Sequence, residues 1–567
     1  MNAPATAEKP ADRNDSRPTL GTYASKAAFW NTVLLPAKLA AHLLAQLVLA
    51  NALPKAEFGV YVLALSVGVT SGSLVDLGTE RSVVKFLPEV AGRQGRRGVR
   101  TLLSWVFGFK FAVLTPVIMF ALLFHQVFFR YLNSRIPSVP DDKLTDQAVV
   151  REHDRLVALV NGQHWTIFFS IISLVLVGAF YDVAMQSLVA TFKNKSWNII
   201  TILVTLLDPL VVAVIVLTGG NIGIVLVGRV FVALAAMFLA GSFAVFAVRQ
   251  SAGEERQYIA VEEYDRPLPI RRFAFYSSLQ YALQVTSFLT SYAFAAIILR
   301  NADEIAGYRV ASGSVREILS ALTTPIVGIQ VPIFTRIFTA RDYRQLDVAY
   351  ALVARFLALV LIPGAVGLAL LIPNLFRILY PQYVSFAGVC IVLIVFLFSE
   401  SCLSTGTTVL LTFERYKPVI AARGIALLAF PIMFFTARWY GAMGAAITSG
   451  GFACLAALVG TVAANASLPI RYPIAFVRRV GIAAGCMAVV VGGLAFTVGR
   501  VPLDAGGGIH RVFWLGLNAV IAALGGATYL AVFRRIGGVE QSDIERLRTL
   551  RIPARALVLR VLIGKRA

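Results

Sequence analysis

Residues 304–329 read EIAGYRVASGSVREILSALTTPIVGI. The stretch is long and apolar enough to cross a bilayer, yet Arg309 and Arg316 stand inside it instead of at its ends. Together with Ser312, Ser320 and Thr323 they recur at steps of three and four residues, so all five share one face of a helix. At 1.5 Å per residue the two guanidinium groups are separated by about 10 Å along the axis. A cation at the centre of a membrane helix costs roughly 2.5–3.5 kcal/mol on insertion scales. That cost is met where a cavity, a counter-ion or an anionic ligand receives the charge.

The same irregularity recurs through the chain, with Lys38, Lys110, Arg229 and Arg355 also lying inside apolar runs. The 567 residues are 58% hydrophobic and 14% charged, with a mean hydropathy of +0.75. This composition implies an all-α polytopic membrane protein. Stretches near 20 apolar residues give about fourteen expected transmembrane helices, beginning with 27–50, 57–78 and 102–124 and ending with 480–498 and 512–533.

The first 23 residues are polar and have no short apolar core ahead of a small-residue cleavage site, so no secretory signal is expected there. With a cytoplasmic N-terminus, about 34 Lys and Arg fall on the cytoplasmic side and about 11 on the other, which places both termini in the cytoplasm. Arg81, Lys85, Arg93, Arg96, Arg97 and Arg100 crowd one such loop. The net charge of +22 therefore reflects membrane orientation, and nucleic acid is not an expected partner. Cys390, Cys402, Cys454 and Cys486 lie in apolar runs without metal-ligand spacing and read as packing residues.

An internal repeat sets the organisation. Glu57-Phe58-Gly59-Val60-Tyr61 opens the second span and Glu304-Ile305-Ala306-Gly307-Tyr308 the eighth. Gly220-Asn221-Ile222-Gly223 opens the sixth span and Gly441-Ala442-Met443-Gly444 the twelfth. Matched order and topology indicate a duplicated chain. The expected divisions are an N-terminal tail 1–23, an N-lobe 24–248 of six helices with a long non-cytoplasmic loop 125–163, and a cytoplasmic linker 249–272. A C-lobe 273–465 of six helices, two extra helices in 466–533 and a basic cytoplasmic tail 534–567 follow.

These motifs, with Asp76-Leu77-Gly78, Val83-Val84-Lys85-Phe86-Leu87-Pro88-Glu89, Ala306-Gly307-Tyr308-Arg309-Val310-Ala311 and Tyr440-Gly441-Ala442-Met443-Gly444-Ala445-Ala446, resemble a known family. It is the polysaccharide-transport branch of the multidrug/oligosaccharidyl-lipid/polysaccharide (MOP) flippase superfamily, and the resemblance covers about 24–500. It implies two six-helix lobes around a central cavity with alternating access. The implied cargo is an undecaprenyl-pyrophosphate-linked oligosaccharide, moved from the cytoplasmic to the periplasmic leaflet of a bacterial inner membrane. The implied partners are membrane lipids, a polysaccharide polymerase and chain-length machinery. The long 125–163 stretch and the extended C-terminal tail depart from the usual pattern.

Within that frame the expected substrate-binding residues are Lys38, His42, Lys110, Arg309 and Arg316. Lys38 and His42 are four residues apart on one helix face, after Pro36. A buried Lys paired with a carboxylate, or one that snorkels, remains the structural alternative. Arg229 and Arg355 lie nearer the membrane faces and are expected to reach an interface. Asp208, Glu317 and Glu400, with Asp182 beside them, are buried acids. Each suits either coupling to a proton or sodium gradient or the neutralisation of a buried cation. Glu317 cannot neutralise Arg316 directly, because adjacent residues do not face one another on a helix.

No G-x-x-x-x-G-K-[ST] loop, D-x-D, H-E-x-x-H or C-x-x-C pair occurs. No cofactor, no metal site and no catalytic residue is therefore expected, and the chain does not read as an enzyme. Two alternatives stay open: a small-molecule or drug antiporter of the same superfamily, and a membrane-embedded polysaccharide polymerase or ligase using Arg130, Arg135 and His153 of the 125–163 stretch. A surplus of central basic residues argues against cationic drugs as cargo.

Overall fold

The computed structural model describes residues 39–44, 46–136, 147–191, 193–254, 270–340, 343–499 and 508–537. Among these residues every regular element is helical. Helix α1 covers Leu39–Ala52. The first half continues with α2 (Lys55–Asp76), α3 (Thr79–Leu123), α4 (His125–Asn133), α5 (Gln147–Ala190), α6 (Asn194–Leu217) and α7 (Ile222–Glu254). The second half holds α8 (Ile270–Leu289), α9 (Tyr292–Ile298), α10 (Ala302–Ala340), α11 (Tyr343–Leu379), α12 (Ala387–Thr412), α13 (Tyr416–Leu427) and α14 (Ala429–Ser467). Helices α15 (Ile474–Gly499) and α16 (Gly508–Arg535) follow.

Ten stretches among the described residues are long and apolar enough to cross a membrane, and the chain is a multi-pass membrane protein. The sequence-based expectation of about fourteen differs at identifiable places. One of the ten, Tyr416–Ser467, runs over two expected spans and bends at Gly441, whose φ of 55° and ψ of −137° belong to glycine's own conformational territory. The expected spans at 27–50, 274–299 and 305–329 fall on α1, on the α8–α9 pair and on α10, which are not among the ten. Helices α8 and α9 are separate because the chain turns at Thr290, and Ser291 then caps α9 by accepting a hydrogen bond from the Phe294 N–H.

The stretch 125–163, expected as a loop, contains α4 and the first turns of α5. At 44 residues, α5 is about 66 Å long, roughly twice the thickness of a hydrocarbon core, so its leading turns project beyond the bilayer. His125, Phe129, His164, Trp165 and Phe168 pack ring against ring where it leaves, as aromatic belts do at membrane interfaces.

Packing follows the duplication. In the first half α5 packs on α2, α3 and α7, and in the second α12 packs on α10, α11 and α14. Helices α15 and α16 lie against α11 through Leu371, Phe476, Val480, Met487 and Phe533. The halves meet at both ends of α2. At its start Gly59 lies directly against the Ala302 backbone, where any side chain would collide. Nearby, Gln46 Nε2 donates to the Val310 carbonyl at 2.8 Å. At its end, Leu77 and Gly78 both take positive φ, 51° and 72°, and reverse the chain into α3. Gly78 lies against the Ser277 carbonyl of α8, and the Ser82 and Ser277 hydroxyls are 2.7 Å apart.

Candidate functional site

The α2–α3 reversal places an acid at the foot of a cavity. Asp76 Oδ1 accepts from the Thr79 hydroxyl at 3.1 Å and from the Glu80 N–H at 3.4 Å, so the motif that turns the chain also fixes this carboxylate. Helix α3 returns past it, and Lys110, 1% exposed, extends its ammonium between Asp76 Oδ1 at 3.3 Å and Glu80 Oε1 at 3.5 Å. The same ammonium donates to the Ala179 carbonyl of α5 at 3.1 Å. Asp182, one helical turn further along α5, lines the same cavity and acts electrostatically on Glu80. Three carboxyl groups thus surround one ammonium.

That balance has a consequence for protonation. Glu80 heads α3, outside the flanking apolar spans that end at Asp76 and resume at Arg97. Burial first, and the neighbouring Asp182 and Asp76 charges second, push its carboxyl up to about 8, with Lys110 opposing them. A neutral Glu80 leaves one fewer negative charge against the single lysine.

The cavity, about 560 Å³, runs from this cluster between α2, α5, α6 and α7. Gly68, Gly72 and Gly178 line it, and Gln284 of α8 closes it from the second half. Its other charged wall is an arginine fork. Arg229 Nε and Nη2 donate to the two oxygens of Asp208 at 2.8 and 2.5 Å, and Nη1 donates to the Tyr61 hydroxyl at 2.6 Å. Such bidentate geometry is the strongest form of side-chain ion pair. Arg229, expected to reach a membrane interface, instead turns inward because Asp208 and Tyr61 supply all its oxygen partners there. Asp208, an expected coupling residue, is the partner of that arginine.

His42 is half-buried and lines this cavity, which brings it together with Lys110 and Asp208. Lys38 lies outside the described residues. Arg309 sits at the seam between halves: its Nη1 lies near Gly313 and Gln46, and its charge reaches Tyr61. Arg316 faces a different region. Its Nη2 donates to the Thr290 carbonyl, at the break between α8 and α9, at 3.2 Å, while its buried Nε has no hydrogen-bond partner. Glu400 of α12 lies in the field of both Arg316 and Arg423, and Arg423 Nη1 donates to the Ser287 hydroxyl at 3.2 Å. Glu317 is half-buried on α10. Among the described residues no three His, Cys, Asp or Glu side chains are arranged to hold a metal ion.

Sequence reasoning missed Asp76 and Glu80 as functional groups. Asp76 entered only as part of a motif, and Glu80 did not enter at all. The signal available was the spacing of Asp76 and Glu80, four residues apart across a turn and flanking a helix that later carries a buried lysine.

This arrangement of helices recurs in solved structures. The lipid II flippase MurJ, in an inward closed conformation, superposes with a TM-score of 0.62 at 11% identity, over 90% of this chain and 98% of that one. The chain shares the fold of this flippase. A multidrug-resistance MATE family transporter of the MOP superfamily, inward-facing, gives a TM-score of 0.52 at 12% identity over 76% and 94% of the two chains. A Vibrio cholerae MATE transporter gives 0.50 at 14% identity over 79% and 98%. No family model matches the chain, and no curated sequence does. The recurrence is one of fold, with the sequence similarity confined to a small fraction of positions.

Proposed function

We propose that the protein is a flippase that moves an undecaprenyl-pyrophosphate-linked oligosaccharide from the cytoplasmic to the periplasmic leaflet of a bacterial inner membrane. It would do so by alternating access between lobes 24–248 and 273–465, for export of a cell-surface polysaccharide. Both termini are then cytoplasmic, and a polymerase and chain-length machinery receive the product. The observation that carries this reading is Arg316, a half-buried arginine whose buried Nε has no hydrogen-bond partner, at the break between α8 and α9. Guanidinium suits phosphate oxygens because its donors are planar and fork-shaped. The extent of the MurJ superposition, which takes in 90% of the chain, supports a lipid-linked cargo. Lys38, His42 and Arg309 are the further cationic residues assigned to the cargo in this reading.

Transport against a gradient needs coupling, and the Asp76–Glu80–Asp182 cluster is the site we assign to it. The proton is favoured over sodium because Lys110 already occupies the space between carboxylates where a metal cation would sit. The cluster adjoins the α2–α3 reversal that seats on α8, so its charge acts where the two halves close. Arg130 and His153, on which the membrane-enzyme alternative depends, lie on helices α4 and α5.

A drug antiporter is the second reading, favoured by the MATE superpositions and by the carboxylate excess in the first-half cavity. Proteoliposomes separate the two. A fluorescent lipid-linked oligosaccharide should become accessible on the opposite leaflet, while uptake of a lipophilic cationic dye should not exceed that of empty vesicles. Dye uptake without lipid translocation would reverse the assignment. In cells, removal of the protein should leave lipid-linked intermediates on the cytoplasmic leaflet.

A further inference from the structure

A second cavity of about 630 Å³ lies outside the one described, in a groove between the middle of α3 and the last turns of α5 and α7. That volume is within the range of small-molecule sites. Its walls are small or apolar: Leu103 and Phe107 on α3, Ala184 on α5, and Gly241, Ala244 and Val245 on α7. A Cβ added at Gly241 would meet nothing within 4 Å, so this glycine leaves room that no neighbouring side chain fills. The two hydroxyls of the lining are used by their own helices. Ser104 donates to the Thr101 carbonyl and Ser187 to the Val183 carbonyl, each at 2.8 Å.

Polarity is confined to one end. Arg100 and Arg249, both exposed, flank the groove just past the Gly95 kink of α3 and near the end of α7. Among the described residues no acidic side chain lines it. The same face of the molecule carries Arg97 and, at the start of α8 beside α3, Arg271 and Arg272, with Arg272 stacked over the Phe86 ring at 5.7 Å. An apolar slot with two guanidinium groups at its mouth and more basic residues around it matches one class of molecule in shape and charge: an acyl chain attached to an anionic phosphate.

We infer that this groove is a binding site for an anionic phospholipid, with its phosphate between Arg100 and Arg249 and an acyl chain along Leu103, Phe107 and Ala244. The site is separate from the first-half cavity and stands on its own geometry, whichever cargo the protein moves. Basic residues at a membrane surface gain roughly 1 kcal/mol each from anionic lipid, so each arginine should contribute about fivefold in preference for an anionic over a zwitterionic headgroup.

The test uses the full chain, purified and delipidated, with native mass spectrometry of adducts formed with phosphatidylglycerol or phosphatidylcholine of identical acyl chains. The wild type should prefer phosphatidylglycerol, and Arg100→Ala/Arg249→Ala should bring the two lipids close to parity. Arg534→Ala/Arg535→Ala, which removes equal charge from the end of α16, should leave the preference unchanged. Gly241→Leu fills the groove from a helical position and should weaken both lipids together. If the double alanine variant does not elute as a single species, Arg100→Gln and Arg249→Gln taken singly should each show about a fivefold loss.

A preference that survives loss of both arginines would overturn the inference, as would an equal loss in the α16 control or undiminished binding in Gly241→Leu. Displacement of phosphatidylglycerol by undecaprenyl phosphate at lower concentration would also overturn it, giving the groove to a prenyl chain. Competition by inorganic phosphate alone would reduce the site to an anion contact and exclude the acyl chain.

Discussion

The two halves of the duplicated chain treat buried cations differently. In the first half, Arg229 is held by both oxygens of Asp208 and by Tyr61, and Lys110 lies between Asp76 and Glu80. In the second, Arg316 gives one hydrogen bond to a backbone carbonyl, and its Nε is buried without a partner. The Arg229 fork, with its donors satisfied, has little left to offer a ligand, whereas a buried donor without a partner carries a desolvation cost that an incoming anion relieves.

Breaking the closed side should produce the largest effect. Lys110→Met leaves Asp76, 3% exposed, buried without its counter-charge, and removing one member of such a pair costs about 3–5 kcal/mol. Thermal unfolding in detergent should show that loss, and adding Asp76→Asn should recover part of it. Full stability of the single variant would mean that the pair is not a structural element.

The seam between the halves comes next. Gly78→Ala forces a side chain into positive φ against the Ser277 carbonyl. The left-handed conformation alone costs about 1–2 kcal/mol, and the collision adds to it. Cross-linking between cysteines introduced at residues 82 and 277 should become less efficient in that variant.

On the open side, Arg316→Ala should weaken a pyrophosphate-bearing cargo by about tenfold or more, since hydrogen bonds to charged groups contribute about 1.5–3 kcal/mol. Arg316→Lys should fall between, because a lysine keeps the charge and loses the fork. Titration with labelled cargo in detergent measures both, and unchanged affinity in the alanine variant would remove Arg316 from the site.

A further effect is a slope with pH. An ordinary glutamate releases its proton near 4.5, whereas Glu80 keeps it to about 8. Between these values the folded state binds the extra proton, so Glu80 lowers stability progressively as pH rises through that window, and above about 8 the loss is complete. Glu80→Gln should flatten this part of the melting-temperature profile. A wild-type slope retained in the variant would assign the proton elsewhere in the cluster.

Much of the fold was legible from local signals. Apolar run length marks membrane helices, and the paired Glu-Phe-Gly and Glu-Ile-Ala-Gly motifs mark the duplication, because each is confined to a single helix. Arg309 and Arg316 were identifiable for the same reason: a helical period places them on one face without reference to any other element. Part of the 125–163 stretch is helical, in α4 and the first turns of α5, because polar residues can end an apolar run without ending a helix. Helix α5 continues past the bilayer, where water can surround polar side chains.

The sequence by itself determined an all-α membrane protein with cations inside its helices and a repeated plan. Only the tertiary structure decided what each cation meets. Lys110, Asp76 and Asp182 come from three different helices, and Arg229 and Asp208 from two, so their pairing depends on how helices rotate and cross. Spacing along one chain fixes a face of one helix. The partner on the facing helix is fixed only by packing, and that separates the paired lysine and arginine of the first half from the guanidinium left open in the second.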